Sequence, residues 1–258
     1  MTWGLAMAEA VAATLLGAVA GSFANVAIHR LPRRESLVAP RSRCPHCGHP
    51  IRARDNIPLI SFLWLRGRCR DCGQPISWRY PLVEALTALL FLAAWHWFGP
   101  SLGALRAWVF ALIMVIVLFV DLDHRIIPNA VTYPGLALGL LLALPAGPGV
   151  FLTSLGAALG AGLLFLLIAV SSRGGMGGGD VKLAAVMGAF LSWPVVAAAL
   201  FISFTLGGLV GLVLLATGRR RRKDPVPFGP FLALGGLAAL FWGQTIVQWY
   251  LNWPLHGL

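Results

Sequence analysis

Charge is scarce in this sequence: Asp, Glu, Lys and Arg make up 11% of its 258 residues, and only nine are acidic. Hydrophobic residues account for 58%, and the mean hydropathy is +0.80. An ordinary soluble enzyme is thereby excluded, because no soluble fold has a core large enough to hide so much apolar surface. Basic residues are also missing ahead of the first apolar run, where Glu9 stands instead. So although "LLGAVAGS" imitates a leader cleavage site, the segment is expected to be a retained first span. Cysteine is limited to four residues, spaced as two C-x-x-C pairs inside one basic segment, which suits a metal better than a disulfide framework. Two phosphate-binding patterns are lacking as well. No G-K-[ST] follows the glycine-rich stretch, and the basic segment holds no G-x-G-x-x-G.

Long apolar runs dominate what is there. A first segment near 4–28 is followed by a polar insert at about 30–80. Seven more apolar segments then lie near 82–98, 102–120, 129–146, 150–171, 181–193, 195–217 and 228–250. Runs of this length imply an all-α polytopic membrane protein of about eight transmembrane helices, with a small cytoplasmic module inserted between the first and second. The expected division is 1–29 for the first helix, 30–80 for the module and 81–258 for a seven-helix membrane domain.

The net charge of +11 is concentrated, with 11 of the 20 basic residues between Arg30 and Arg79 and five more in "RRRRK" at 219–223. An N-terminus outside places 30–80, the 121–128 turn, the 172–182 loop and the 218–227 loop inside, leaving only Arg106 outside. Both termini are therefore expected outside. Segment 181–193 is too short to span: 13 helical residues reach about 20 Å against a hydrocarbon core of about 30 Å. Either the bilayer thins there or the glycine-rich stretch before it dips into the membrane. Bare backbone tolerates that depth only where it is buried in protein or faces water, which favours a wet cavity at the stretch.

"CPHCG" and "CRDCG" place Cys44, Cys47, Cys69 and Cys72 as C-x2-C-x21-C-x2-C. Thiolates two residues apart, each pair closed by a glycine, can supply the four corners of a structural zinc site. His46 and His49 lie nearby, but four thiolates already fill the shell. The insert's arginines are assigned to topology and to anionic lipid headgroups, not to nucleic acid.

Five acids lie in or near spans: Glu9, Glu84, Asp121, Asp123 and Asp180. The expected topology puts Asp121, Asp123 and Asp180 at one membrane face and at similar depth. Two carboxylates within hydrogen-bond reach share a proton, so one can act on water as base while the other protonates a carbonyl. Asp121 and Asp123 are two apart on a helix and point in different directions, so only one can readily meet Asp180. Spacing alone does not choose between them. The glycines of "SSRGGMGGGDVKL" would let Asp180 approach its partner, and Gly177, Gly179 and Lys182 are expected to support this loop. A secondary transporter would also use membrane carboxylates, but no inverted repeat is visible. A zinc-binding interaction protein without chemistry would leave the aspartates idle.

"GSFANVAIHRLP" at 21–32, "SRCPHCG", "DNIPLISFLWLRGRCRDCG", "ISWRYPLVE", "DLDHRIIPN" and "GGGDVKL" occur in this order over nearly the whole chain. Together they resemble the type IV prepilin peptidase family, membrane aspartyl proteases with a GxGD motif. The resemblance implies that the membrane domain cleaves the basic leader of prepilin or pseudopilin precursors at the cytoplasmic face of the bacterial inner membrane. It also implies N-methylation of the new N-terminus with S-adenosylmethionine, structural zinc on the four cysteines, and catalysis by Asp180 and Asp121. Asp121 is preferred over Asp123 because it stands seven residues before Pro128. Ala24 occupies a position where the family often carries a bulkier apolar residue. The methyltransferase residues stay open, with Gly67 and the "DNIPL" stretch as candidates.

Overall fold

A backbone surrounded by lipid has to satisfy its own hydrogen bonds, so the apolar runs fold as helices. The computed structural model of the chain describes residues 2–172, 175–218 and 227–252. Among these are nine α-helices: α1 Thr2–Arg30, α2 Ile60–Trp64, α3 Arg79–Phe98, α4 Leu102–His124, α5 Asn129–Leu141, α6 Pro148–Ser171, α7 Gly178–Leu191, α8 Val195–Ala216 and α9 Gly229–Leu251. No strand occurs among the described residues, only two isolated bridges, Arg43 with Pro50 and Arg68 with Pro75. Among the described residues, seven stretches are long and apolar enough to cross a membrane: those of α1, α3, α4, α6, α8 and α9, and Asn129–Ala146, which contains α5. The eighth apolar segment is the short one. It forms α7, whose 14 residues span about 21 Å at about 1.5 Å each. The "RRRRK" run and Arg173 lie outside the described residues.

The chain divides into two compact units, Met1–Ile116 and Val117–Leu258, with the boundary inside α4. In the first, α1 packs on α3. Gly17 and Gly21 stand four apart at that contact. A Cβ on Gly17 would lie 2.7 Å from the Phe91 Cβ, and one on Gly21 would lie 2.7 Å from the Glu84 Cα. Small residues at this spacing let two backbones approach in lipid, where dispersion between helices replaces the hydrophobic effect. Trp108 ties the first half of α4 to α3 by stacking on Phe91, ring centroids 5.3 Å apart, and by donating its indole N–H to the Phe91 carbonyl at 2.9 Å.

The insert between α1 and α3 is built from two similar knuckles 25 residues apart, "RCPHCGHPI" and "RCRDCGQPI". In the first, Cys44 N–H donates to His49 O, Gly48 N–H to Cys44 O and Ile51 N–H to Ser42 O. The second repeats the pattern through Cys69 to Gln74, Gly73 to Cys69 and Ile76 to Gly67. Gly48 and Gly73 both take φ +72°, the left-handed turn that a side chain resists. Buried Arg30, the last residue of α1, donates to the Ser36 carbonyl at 2.8 Å and the Pro40 carbonyl at 2.7 Å, which fixes the start of the insert. A bidentate Arg70–Asp55 pair, with contacts of 2.7 to 3.1 Å, links the second knuckle back to the segment between the two.

In the second unit α6 packs on α7 and α8 on α9, while α7 also touches α5 and α9. Helix α7 is therefore the buried centre of this unit, with Leu183, Ala184, Val186, Met187 and Ala189 fully shielded. Surrounding protein, rather than its own length, satisfies its environment. Close approach again depends on glycine: a Cβ on Gly188 would collide with the Ala157 carbonyl of α6. The outer faces carry exposed Leu152, Leu159, Leu163 and Leu167 on α6 and Phe201 and Leu212 on α8, as expected for lipid contact.

Candidate active site

Asp121 lies in the last turn of α4 and is 4% exposed, whereas Asp123, two residues on, faces outward. Burial thus separates the two acids that spacing alone does not. A carboxylate near a helix C-terminus meets the negative end of the helix dipole. Asp121 is offset by a backbone N–H from Gly229, at the positive end of α9. Phe228 next to it packs against buried Phe165 and against Phe204, at ring-centroid distances of 6.2 and 5.2 Å, which anchors the start of α9. A Cβ on Gly229 would lie 2.6 Å from Asp121 Oδ2, so only glycine permits this approach.

Asp180 is 8% exposed and occupies the third position of α7. Helix α7 begins at Gly178, three residues earlier than the apolar pattern indicated, so Gly178 and Gly179 are helical rather than loop. The cause is local: the Asp180 carboxylate accepts the Gly177 N–H at 3.2 Å and closes the first turn. Gly179 has a packing role. A Cβ there would lie 2.9 Å from the Ile127 Cβ, so the absence of a side chain lets "DLDHRIIPN" and "GGGD" touch. Both carboxylates are buried, and the negative charge of Asp121 is felt at Asp180.

Lys182 does not neutralise either aspartate. Lys182 donates instead to Asn129 Oδ1 at 2.6 Å and sits 5.2 Å above the Tyr133 ring, tying α5 to the first turn of α7. Gly229, Ile127, Asn129 and Tyr133 escaped the sequence reading. Asn129 closes the quoted "DLDHRIIPN", but "PFGP" around Gly229 gives no chemical signal.

In the first unit the Sγ atoms of Cys44, Cys47, Cys69 and Cys72 all lie within 4.8 Å of one another, with Cys44 and Cys72 at 3.9 Å. The four are free thiols. Tetrahedral Zn–S bonds of about 2.3 Å put sulfurs about 3.8 Å apart, so the set fits a tetrahedral metal ion. His46 and His49 are exposed and stand outside the cluster. Burial opposes the Cys44 thiolate, but the backbone N–H groups of Cys47 and His46 outweigh it and bring the thiol down to about 7.

Two family models match the chain: the Bacterial Peptidase A24 N-terminal domain over residues 15–98 and the Type IV leader peptidase family over residues 108–212. A protein of Aeromonas hydrophila named "Prepilin leader peptidase/N-methyltransferase" is 42% identical over 92% of both chains. The chain belongs to the type IV leader peptidase family. Relatives of the same name from Bacillus subtilis and Stutzerimonas stutzeri are 40% and 38% identical, covering 93% and 95% of this chain and 97% and 95% of theirs. No solved structure matches. The family resemblance read from the motifs agrees with these matches. Both aspartates fall within the second match and all four cysteines within the first; Gly229 lies beyond either.

Proposed function

We propose that this chain cleaves the basic leader from type IV prepilin-like precursors and then N-methylates the new N-terminus. The observation that supports cleavage is the burial of Asp121 at the end of α4 and of Asp180 at the start of α7, within electrostatic reach of each other. The pair shares one proton because two adjacent buried carboxylates do not both ionise easily. The ionised partner takes a proton from water as the oxygen attacks the scissile carbonyl carbon. The protonated partner gives its proton to the carbonyl oxygen. When the tetrahedral intermediate collapses, a proton passes to the leaving nitrogen and the C–N bond breaks. The backbone N–H of Gly229 and that of Gly177 hold the two carboxylates in place. Lys182 and Asn129 brace the turn between them.

Zinc is the metal assigned to the cysteine cluster, with a structural role, because four thiolates leave no open position. The basic insert, the cluster and the aspartates lie on the cytoplasmic side of the bacterial inner membrane, with both termini outside. S-adenosylmethionine supplies an electrophilic methyl group for the amine that cleavage exposes. The purified protein incubated with a prepilin should yield leader-free product without S-adenosylmethionine, and product heavier by one methyl with it. A precursor of unchanged mass in both reactions overturns the assignment.

A further inference from the structure

The first unit contains a cavity of about 1010 Å³ that the aspartate chemistry does not use. Its lining includes Ser22 and Asn25 of α1, Trp78, Tyr80 and Glu84 at the start of α3, and Leu59 of "DNIPL". Gly67 is not among the lining residues and packs against Phe62.

Glu84 is 9% exposed. Its carboxylate accepts the Leu59 N–H at 2.9 Å and a hydrogen bond from the Ser22 hydroxyl, but no Lys, Arg or His among the described residues lies within ion-pair distance of it. Two other acids of the lining differ: Asp55 is held by Arg70 and Asp71 by Arg52. Leu59 takes φ +63°, a conformation that leucine resists, and that backbone presents its N–H to Glu84. Asn25 donates its amide to the Tyr80 carbonyl at 3.0 Å, which leaves its own amide oxygen as a second acceptor. A shielded carboxylate without a cation, facing a cavity of ligand size, calls for a positively charged ligand group. The aromatic faces of Trp78 and Tyr80 suit a flat base or a cation.

We propose that Ser22, Asn25 and Glu84 form the subsite for the cationic end of the methyl donor, a sulphonium bearing an adenosyl group. This rests on the N-methylation reading above. Loss of the methyl turns the sulphonium into a neutral thioether, so the same carboxylate that holds the donor releases the product.

The test is calorimetric titration of the full-length protein in nanodiscs with S-adenosylmethionine and, separately, with S-adenosylhomocysteine. Wild type should bind the sulphonium at least about tenfold more tightly than the thioether, as expected for one charge-assisted contact. Glu84→Gln should narrow the ratio to about twofold or less, Glu84→Asp should keep most of it, and both should cleave prepilin at the wild-type rate. Equal affinities in wild type overturn the proposal whatever the variants do, and so does an undiminished ratio in Glu84→Gln. A wild type that neither binds the donor nor methylates defeats the N-methylation reading itself.

Discussion

Replacing Gly229 with alanine isolates the contact that holds Asp121. The new Cβ would start 2.6 Å from Asp121 Oδ2 and 2.9 Å from its Cγ. Ordinary contact between such atoms begins near about 3.5 Å, so the start of α9 or the carboxylate has to move by most of an ångström. Phe228 is wedged against Phe165 and Phe204, which limits how far α9 can retreat. The movement then falls on the hydrogen bond from the Gly229 N–H. A bond to a charged group contributes about 1.5–3 kcal/mol. If it is lost where charge on the carboxylate matters, the rate falls by about one to two powers of ten. The assay is kcat/KM for prepilin cleavage in nanodiscs. Gly208→Ala serves as control, because a Cβ there meets nothing within 4 Å. Wild-type kinetics in Gly229→Ala would refute the claim that α9 positions Asp121.

Other expectations follow from the same contacts. Metal analysis should find one zinc per chain. Cys69→Ser should lose it, together with the protease resistance of the insert, since a structural site of this kind supplies much of a small module's folding free energy; resistance retained without metal would contradict that role. Lys182→Met and Asn129→Ala should each slow cleavage severalfold, and the double variant should be no slower than either alone. Additive losses would mean that the 2.6 Å bond between them is not the shared cause. The guanidinium of Arg70, bonded to Asp55, holds that carboxyl below its ordinary 3.8. A depressed folded value means that the pair stabilises the insert fully above 3.8 and loses that contribution as pH falls through the folded value. Hydrogen exchange should therefore show wild-type protection exceeding that of Asp55→Asn at neutral pH and converging with it in acid. A gap independent of pH would contradict the pair.

Features that depend on local chemistry were legible in the sequence. The paired C-x-x-C-G knuckles announced a four-thiol cluster, and the short apolar segment after "GGGD" announced a helix too short to span. Asp180 stood out because a carboxylate at the end of a glycine run has few other uses. Features that depend on partners far along the chain were not legible. Asp121 and Asp123 differ in burial, 4% exposed against outward-facing, and two-residue spacing carries no information on which faces protein. Gly229 is 108 positions from Asp121, and nothing in "PFGP" marks it as a donor to a carboxylate. Gly17 and Gly21 form a small-x3-small pattern, but they lie in an apolar run where length was the stronger signal. The glycines before Asp180 suggested a loop. Gly178 and Gly179 instead open a helix, and the missing side chain at Gly179 makes room for Ile127.

Single substitutions separate the roles of the three aspartates near the ends of α4 and α7. Asp121→Ala, Asp180→Ala and Asp123→Ala, each reconstituted in proteoliposomes with a prepilin, should be compared by the mass of the product over time. We expect no cleavage by the first two and substantial cleavage by the third, because Asp121 and Asp180 are both buried within electrostatic reach of each other and Asp123 faces outward. Wild-type cleavage by either Asp121→Ala or Asp180→Ala would contradict it.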